Sequence, residues 1–109
     1  MNNNFSVVYS PEAKYDLKEI YKYIYYTLLA PITAKKQVNR LRQMIRSLGF
    51  MPSKYPIVDW EPWKSMNMHK VPVDNYLVFY TVDNSNLKVT IIRIAYSGRD
   101  IASMAIEEN

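Results

Sequence analysis

From Met68 to Ile101 the chain reads as three strands in immediate succession, and no other feature restricts its fold as much. Met68–Val73 and Tyr76–Val82 are rich in β-branched and aromatic residues. Only Asp74-Asn75 separates them, two residues that tolerate positive φ and suit a tight hairpin. Asp83–Asn86 supplies the next turn. Leu87–Tyr96 follows, apolar on both faces and therefore expected at the centre of the sheet. Strands joined this closely pair antiparallel, as a meander. Pro72 lacks a ladder donor, which assigns the first of the three to an edge. The run ends in a polar cluster (Arg93, Tyr96, Ser97, Arg99, Asp100) that core packing does not require, so an activity is expected at the end of the last strand.

The N-terminal half reads as scaffold for that sheet. Phe5–Tyr9 is a short strand candidate, and Ser10-Pro11-Glu12 is a helix start: a capping hydroxyl, a proline at the first helical position and an acid against the dipole. Ala13, Leu17, Ile20, Ile24 and Leu28 then mark one stripe of an amphipathic helix that Pro31 ends or separates from the next. A second helix is expected over roughly Ile32–Leu48, with Ala34, Val38, Leu41, Ile45 and Leu48 buried and Gly49 as its C-terminal stop. Two such helices with a short link form an antiparallel hairpin. In Phe50–Asn67 three prolines oppose regular structure, while Tyr55, Trp60 and Trp63 oppose disorder; a long ordered loop of this kind is more often functional than accidental. Its plain structural alternative is that both tryptophans cap an open edge of the core. Ile101–Asn109 forms a short helix or frays. The expected architecture is α+β: strand, helix, helix and a three-strand meander, with a small, mainly antiparallel twisted sheet carrying the helical hairpin on one face. A single domain spans 1–109.

Composition closes off several function classes. A chain of 109 residues supports one core, burying about 65% of the surface its unfolded form exposes. Cysteine is absent, which excludes disulfides, thiolate metal sites and thiol catalysis, and a single histidine argues against a histidine-built zinc centre. Two glycines leave no phosphate-cradling loop, nucleophile elbow or dinucleotide fingerprint. No metal and no cofactor are expected. The N-terminus lacks the pattern of a signal peptide, and no apolar run approaches the ~20 residues of a membrane helix. The expectation is a soluble cytoplasmic protein without membrane contact.

The net charge of +4 is modest, but between Glu19 and Asp59 there is no acid, while Lys22, Lys35, Lys36, Arg40, Arg42, Arg46 and Lys54 fall in that interval. Helical spacing puts Lys35, Arg42 and Arg46 on one flank of the second helix and Lys36 and Arg40 on the other. A one-signed block suits a polyanionic neighbour, either nucleic acid or an acidic protein, and equally a solvated helix face. Lys35, Lys36, Arg40, Arg42, Arg46, Trp60 and Trp63 are the binding candidates. Metal-free chemistry remains open to Lys, Arg, Tyr and His. Cleaving RNA through its own 2′-hydroxyl needs a base, an acid and cations for the phosphorane. Lys70 and Arg99 can supply charge, Tyr96 or (more weakly) His69 can move a proton, and Arg93 lies beside them. Each also has a plain structural reading: an ion pair for Arg93, a tethered half-buried aromatic for Tyr96, an exposed edge-strand residue for His69.

Three stretches resemble a known family. S-P-E-A-x-x-D-L-x-x-I-x-x-Y-I (Ser10 to Ile24), V-P-V-D-N-Y-L-V-F-Y-T-V-D (Val71 to Asp83) and R-I-A-Y-S-G-R-D-I (Arg93 to Ile101) are similar, in order, to segments of the RelE/ParE toxins of type II toxin–antitoxin modules. The resemblance implies the fold deduced above and a toxin held inactive by a cognate antitoxin whose C-terminal segment wraps it in a hetero-oligomer. RelE-like members cleave mRNA on the ribosome; ParE-like members poison DNA gyrase and are not nucleases. A non-toxic member serving only as a protein-binding module is the alternative. By position, the RelE-like lysine corresponds to Lys70, a basic residue near the sheet end to Arg99, and Tyr96 stands where some nuclease members carry histidine. The arginine that nucleases place directly after the strand tyrosine is Leu77 here. The helix-1 signature and the R-D-I ending lean toward ParE, and Trp60–Trp63 belongs to neither prototype.

Overall fold

A computed structural model describes residues 4–101 together with Ser103 and Met104. The order is β1 (Ser6–Tyr9), α1 (Pro11–Lys22), α2 (Pro31–Ser47), β2 (His69–Val73), β3 (Tyr76–Asp83) and β4 (Lys88–Tyr96). The four strands form one sheet in the order β1-β4-β3-β2. The meander is antiparallel, β1 adds to β4 in parallel, and β4 is central while β2 with its proline is an edge, as the sequence pattern requires. The fold is α+β, two helices on a four-stranded mixed open sheet.

Ser10 sets the start of α1. Its side-chain oxygen accepts from Ala13 N–H at 2.9 Å while its hydroxyl donates to the Ile92 carbonyl at 2.9 Å, so one group caps the helix and ties it to the sheet. Ile92 needs that donor because it is the extra residue of a β-bulge: Phe79 pairs with Arg93, but Tyr80 pairs with Ile91. α1 does not stop cleanly. Tyr23–Thr27 continues as a π-helical turn, with Leu28 N–H bonded to Tyr23 carbonyl at 3.1 Å, and Leu29 then takes a left-handed φ of 54°. Pro31 opens α2 rather than closing α1, at the position where its missing N–H is no loss. Gly49 is not left-handed. It is small because a Cβ there would lie 3.0 Å from the Phe5 carbonyl oxygen, where β1 enters the sheet. In the Asp74-Asn75 turn only Asp74 has positive φ, 55°.

Two cores flank the sheet. On the helical face Ala13, Leu17, Val38, Leu41, Ile45 and Leu48 pack on Val71, Val78, Tyr80, Val89, Ile91 and Ile94. The opposite face is covered too, a layer the sequence reading left unassigned. There Val58, Trp63 and Met68 of the proline-broken segment join Phe79, Ala95, Ile101 and Met104, with Trp60, Leu77 and Ile92 partly buried against them. The segment also bridges the outer edge of β2, through Ile57 and His69 and through Lys70 N–H to the Pro56 carbonyl at 3.0 Å. Ile101, Ser103 and Met104 are helical, and the rest of the expected tail helix lies outside the described residues. Among the described residues no helix is long and apolar enough to cross a membrane.

Candidate functional site

Helix α1 separates two concave surfaces of contrasting chemistry. The first is a groove of about 990 Å³ between α1, α2 and β1. Its floor is apolar, from Val7, Leu17, Val38 and Ile45, and its rim carries Lys14, Lys18, Lys35, Arg42 and Arg46 without one acid. Burial pushes the Tyr9 hydroxyl above its ordinary pKa while Arg42 and Arg46, which line the same groove, pull it back. An apolar trough with a cationic rim has the electrostatics of a receptor for an acidic amphipathic segment.

The second is a cleft of about 890 Å³ on the other side of α1, closed by the π-turn, the start of α2 and the β3–β4 end of the sheet. Tyrosines dominate it. Tyr15, Tyr23 and Tyr96 are 63%, 54% and 57% exposed, and Tyr76 meets Tyr96 edge-on with centroids 6.1 Å apart. Burial, then the proximity of Tyr23 and Tyr96, raises the pKa of Tyr76. In the wall of this cleft α1 takes over where β1 ends. Asp16 accepts from Arg93 Nε at 2.7 Å, from Arg93 Nη2 at 3.1 Å and from Ile94 N–H at 2.9 Å, so a carboxylate completes the β4 edge and holds a guanidinium at once.

The structure separates the catalytic candidates. Arg93, Tyr96 and Arg99 line the tyrosine cleft. Lys70 belongs to the loop-covered side, where its Nζ lies 5.6 Å over the Trp60 ring. The register aligns Lys70 with Phe79 and Arg93, and Val73 with Tyr76 and Tyr96. The backbones of Lys70 and Tyr96 are thus roughly 10 Å apart along the strands and roughly 10 Å across them, before their side chains diverge to opposite faces. His69 is buried, contrary to its reading as an exposed edge residue. Its ring stacks on Tyr80 at 5.1 Å, and its Nδ1–H donates to the Tyr55 carbonyl at 2.7 Å. The one end-of-sheet cluster expected from the sequence is therefore three groups in a cleft, one on the far face and one in the interior.

The binding candidates divide as sharply. Lys35, Arg42 and Arg46 share the groove rim; Lys36 is exposed outside it. Arg40 is committed to the β2–β3 turn, where Nε and Nη2 bond both Asp74 oxygens at 2.9 and 2.6 Å. Gln37 first and Arg40 second hold that carboxyl below its ordinary pKa. Trp60 is half-buried under Lys70, and Trp63, with no exposed surface, has none to offer a partner. Lys14 and Lys18 precede the acid-free interval and so stand outside the basic block read from the sequence, yet their four-residue spacing puts them on one helix face. The tyrosines of α1 and its π-turn also divide: Tyr21 lines the groove, Tyr15 and Tyr23 the cleft. Among the described residues no three His, Asp or Glu side chains gather as metal ligands would.

The profile of a family described as the ParE toxin of the type II toxin–antitoxin system parDE matches residues 7–101. No curated protein sequence matches the chain. Solved structures similar in fold include the chromosomal ParDE toxin–antitoxin system of P. aeruginosa, at 18% identity and TM-score 0.71 over 87% of this chain and 98% of that one. A mutant of the E. coli toxin RelE in the free state is similar at 11% identity and TM-score 0.66, over 96% and 97%. The toxin–antitoxin complex RelBE2 of Mycobacterium tuberculosis follows at 15% identity and TM-score 0.61, over 85% and 91%.

Proposed function

The match over residues 7–101 makes this chain a member of the ParE toxin family of type II toxin–antitoxin systems, and from that premise we propose that it arrests growth by binding a protein target, DNA gyrase, rather than by cutting RNA. In the resting cell a cognate antitoxin silences it by laying an acidic amphipathic segment in the basic groove.

The observation that carries the choice is the dispersal of the proton-transfer and charge-stabilising groups. RNA cleavage needs a base, an acid and cations within about 3 Å of one reacting phosphate. Lys70 and Tyr96 are on different faces of the sheet, and Leu77, beside the loop core, supplies no charge. His69 is buried with one ring nitrogen already donating to a carbonyl, and Arg93 already serves Asp16. Among the described residues, no histidine or lysine joins Tyr96 and Arg99 in the cleft. A protein-binding toxin asks for none of this; it asks for exposed tyrosine and arginine on a shaped surface. Five cations around an apolar floor favour an acidic helix over a neutral one as the antitoxin element.

Induced expression without antitoxin is the test, with translation, mRNA integrity and DNA supercoiling read separately. The expected result is loss of gyrase supercoiling activity and induction of DNA-damage signalling while mRNA stays intact. Messages cut within codons during arrest, with supercoiling unaffected, would reverse the assignment in favour of a ribosome-dependent nuclease. Unimpaired growth would indicate the non-toxic module.

A further inference from the structure

We infer that the tyrosine cleft, and not the basic groove, is the face on which this toxin docks its protein target, and that the element it receives carries an apolar anchor and a carboxylate. The inference rests on the protein-target reading above and deepens it by assigning the contact surface.

Four features of the cleft lead there. Its rings are exposed well beyond what packing in the free protein uses: Tyr15, Tyr23 and Tyr96 each show more than half their surface, and Leu28 on the lip shows 54%. Tyrosine and arginine are the residues that dominate binding energy at protein interfaces, because a rigid amphipathic ring contributes contact at small entropic cost. The lip residue Leu28 ends the π-turn, and left-handed Leu29, next to it in sequence, is 80% exposed. Backbone strain under an exposed apolar residue stabilises nothing in the isolated fold and is characteristic of surfaces that meet a partner.

Charge then selects the partner. Asp16 and Arg93 neutralise each other, and Glu19 lies 3.5 Å from Lys22. Arg99 is the one cation of the cleft wall with no carboxylate partner among the described residues. One free guanidinium among aromatic rings fits one carboxylate on an otherwise apolar protein element. A nucleic-acid strand fits poorly, since its phosphates would meet Asp16 and Glu19 with a single cation in return. The acidic antitoxin segment is better matched by the five cations across α1.

The two surfaces share no lining residue, yet they are only one helix apart, about 10–12 Å with side chains. Two large partners therefore exclude each other by bulk while their contact residues remain separable by mutation.

The test uses full-length toxin released from its antitoxin, with Tyr96→Ala, Arg99→Glu and Tyr23→Ala, all at exposed positions. Each is measured for inhibition of purified DNA gyrase and, by calorimetry, for affinity toward the antitoxin. The expected result is at least ~10-fold weaker gyrase inhibition for each variant, with antitoxin affinity held within ~2-fold, which also certifies the fold. Wild-type inhibition in all three variants overturns the cleft assignment and leaves the gyrase reading intact. A loss of antitoxin affinity in place of gyrase inhibition gives the cleft to the antitoxin and overturns it equally. If wild-type toxin is inert toward gyrase, the gyrase reading and the cleft's assigned partner fall together. If it instead cuts RNA in a manner that Arg99→Glu abolishes, the cleft is a nuclease site and the inference is wrong.

Discussion

Asp16 ties helix α1 to strand β4 through one nearly buried carboxylate. Its side chain is 10% exposed and that of Arg93 13%, and the carboxylate accepts three hydrogen bonds, two from the guanidinium and one from the Ile94 backbone. Truncation to alanine takes the Asp16 carboxylate from a nearly buried guanidinium and leaves a β4 N–H without that acceptor. Breaking a buried pair from one side costs about 3–5 kcal/mol, and an orphaned backbone donor accounts for about 1–3 of that. The open cleft beside Arg93 lets the guanidinium swing toward water, which favours the lower end, about 3 kcal/mol. Asp16→Asn keeps one oxygen for Arg93 Nε and Ile94 N–H but loses the charge and the acceptor of Arg93 Nη2, so about 2 kcal/mol is expected.

The assay is urea denaturation of the isolated toxin. With a slope of about 1.5 kcal/mol/M, Asp16→Ala lowers the midpoint by about 2 M. The decisive variant is Asp16→Ala/Arg93→Ala, which removes both members of the ion pair and retains only the loss of the Ile94 acceptor and of packing. It should therefore be no less stable than Asp16→Ala alone, with a coupling energy of about 2 kcal/mol in the double-mutant cycle. A midpoint that moves by less than about 0.3 M in Asp16→Ala, or a double variant destabilised by the full sum of the singles, would refute the account of this pair.

Three further variants probe a buried hydroxyl, a left-handed residue and a close backbone approach. Tyr80 donates to the Pro52 carbonyl at 2.6 Å, and burial raises its pKa far above the ordinary value of 10.0. The raised folded pKa makes its contribution complete below pH ~10, where the unfolded tyrosine begins to ionise, and lost above it at roughly 1.4 kcal/mol per pH unit; Tyr80→Phe should flatten that alkaline limb of a stability–pH profile. Leu29→Gly relieves a left-handed leucine at the cost of chain entropy, a net gain of about 0.5 kcal/mol and about 2–4 °C in thermal midpoint; a lower midpoint would mean that the exposed leucine packs after all. Gly49→Ala forces a methyl to 3.0 Å from the Phe5 carbonyl oxygen, and calorimetry should find about 1–3 kcal/mol lost as β1 is pushed off its seat.

Elements specified by local chemistry were legible in the sequence, and those specified by packing between distant segments were not. Ser10, Pro11 and Glu12 announce a helix start because the orphan donors they satisfy lie within one turn. Pro72 and the two-sided apolar pattern of Leu87–Tyr96 likewise place β2 at an edge and β4 at the centre. Pro31 was ambiguous because a proline both stops one helix and starts another, and only the π-turn before it settles which. Gly49 looked like a left-handed cap, whereas its constraint is a strand entering forty-odd residues away in sequence. His69 looked exposed because an edge strand's outer side is open unless something crosses it, and Ile57 crosses it. No periodicity encodes that crossing.

The convergence expected at the end of the sheet failed for a related reason, and the failure bears on function. Adjacent residues of a strand point to opposite faces, so His69 and Lys70 cannot serve one site, and the bulge at Ile92 shifts the phase of β4 just before Arg93. What each face can do then depends on what covers it. On the far face Trp63 and Phe79 pack with centroids 4.8 Å apart and planes tilted by 50°, and Trp60 lies beneath Lys70, so the one lysine of the meander's first strand faces an aromatic ring. On the helical face the charge of Arg93 is absorbed by Asp16, which leaves tyrosine rings and Arg99 as the accessible chemistry. His69, Lys70 and Arg93 are thus accounted for by the contacts they already make, while Tyr96 and Arg99 stay accessible on the open, tyrosine-lined face.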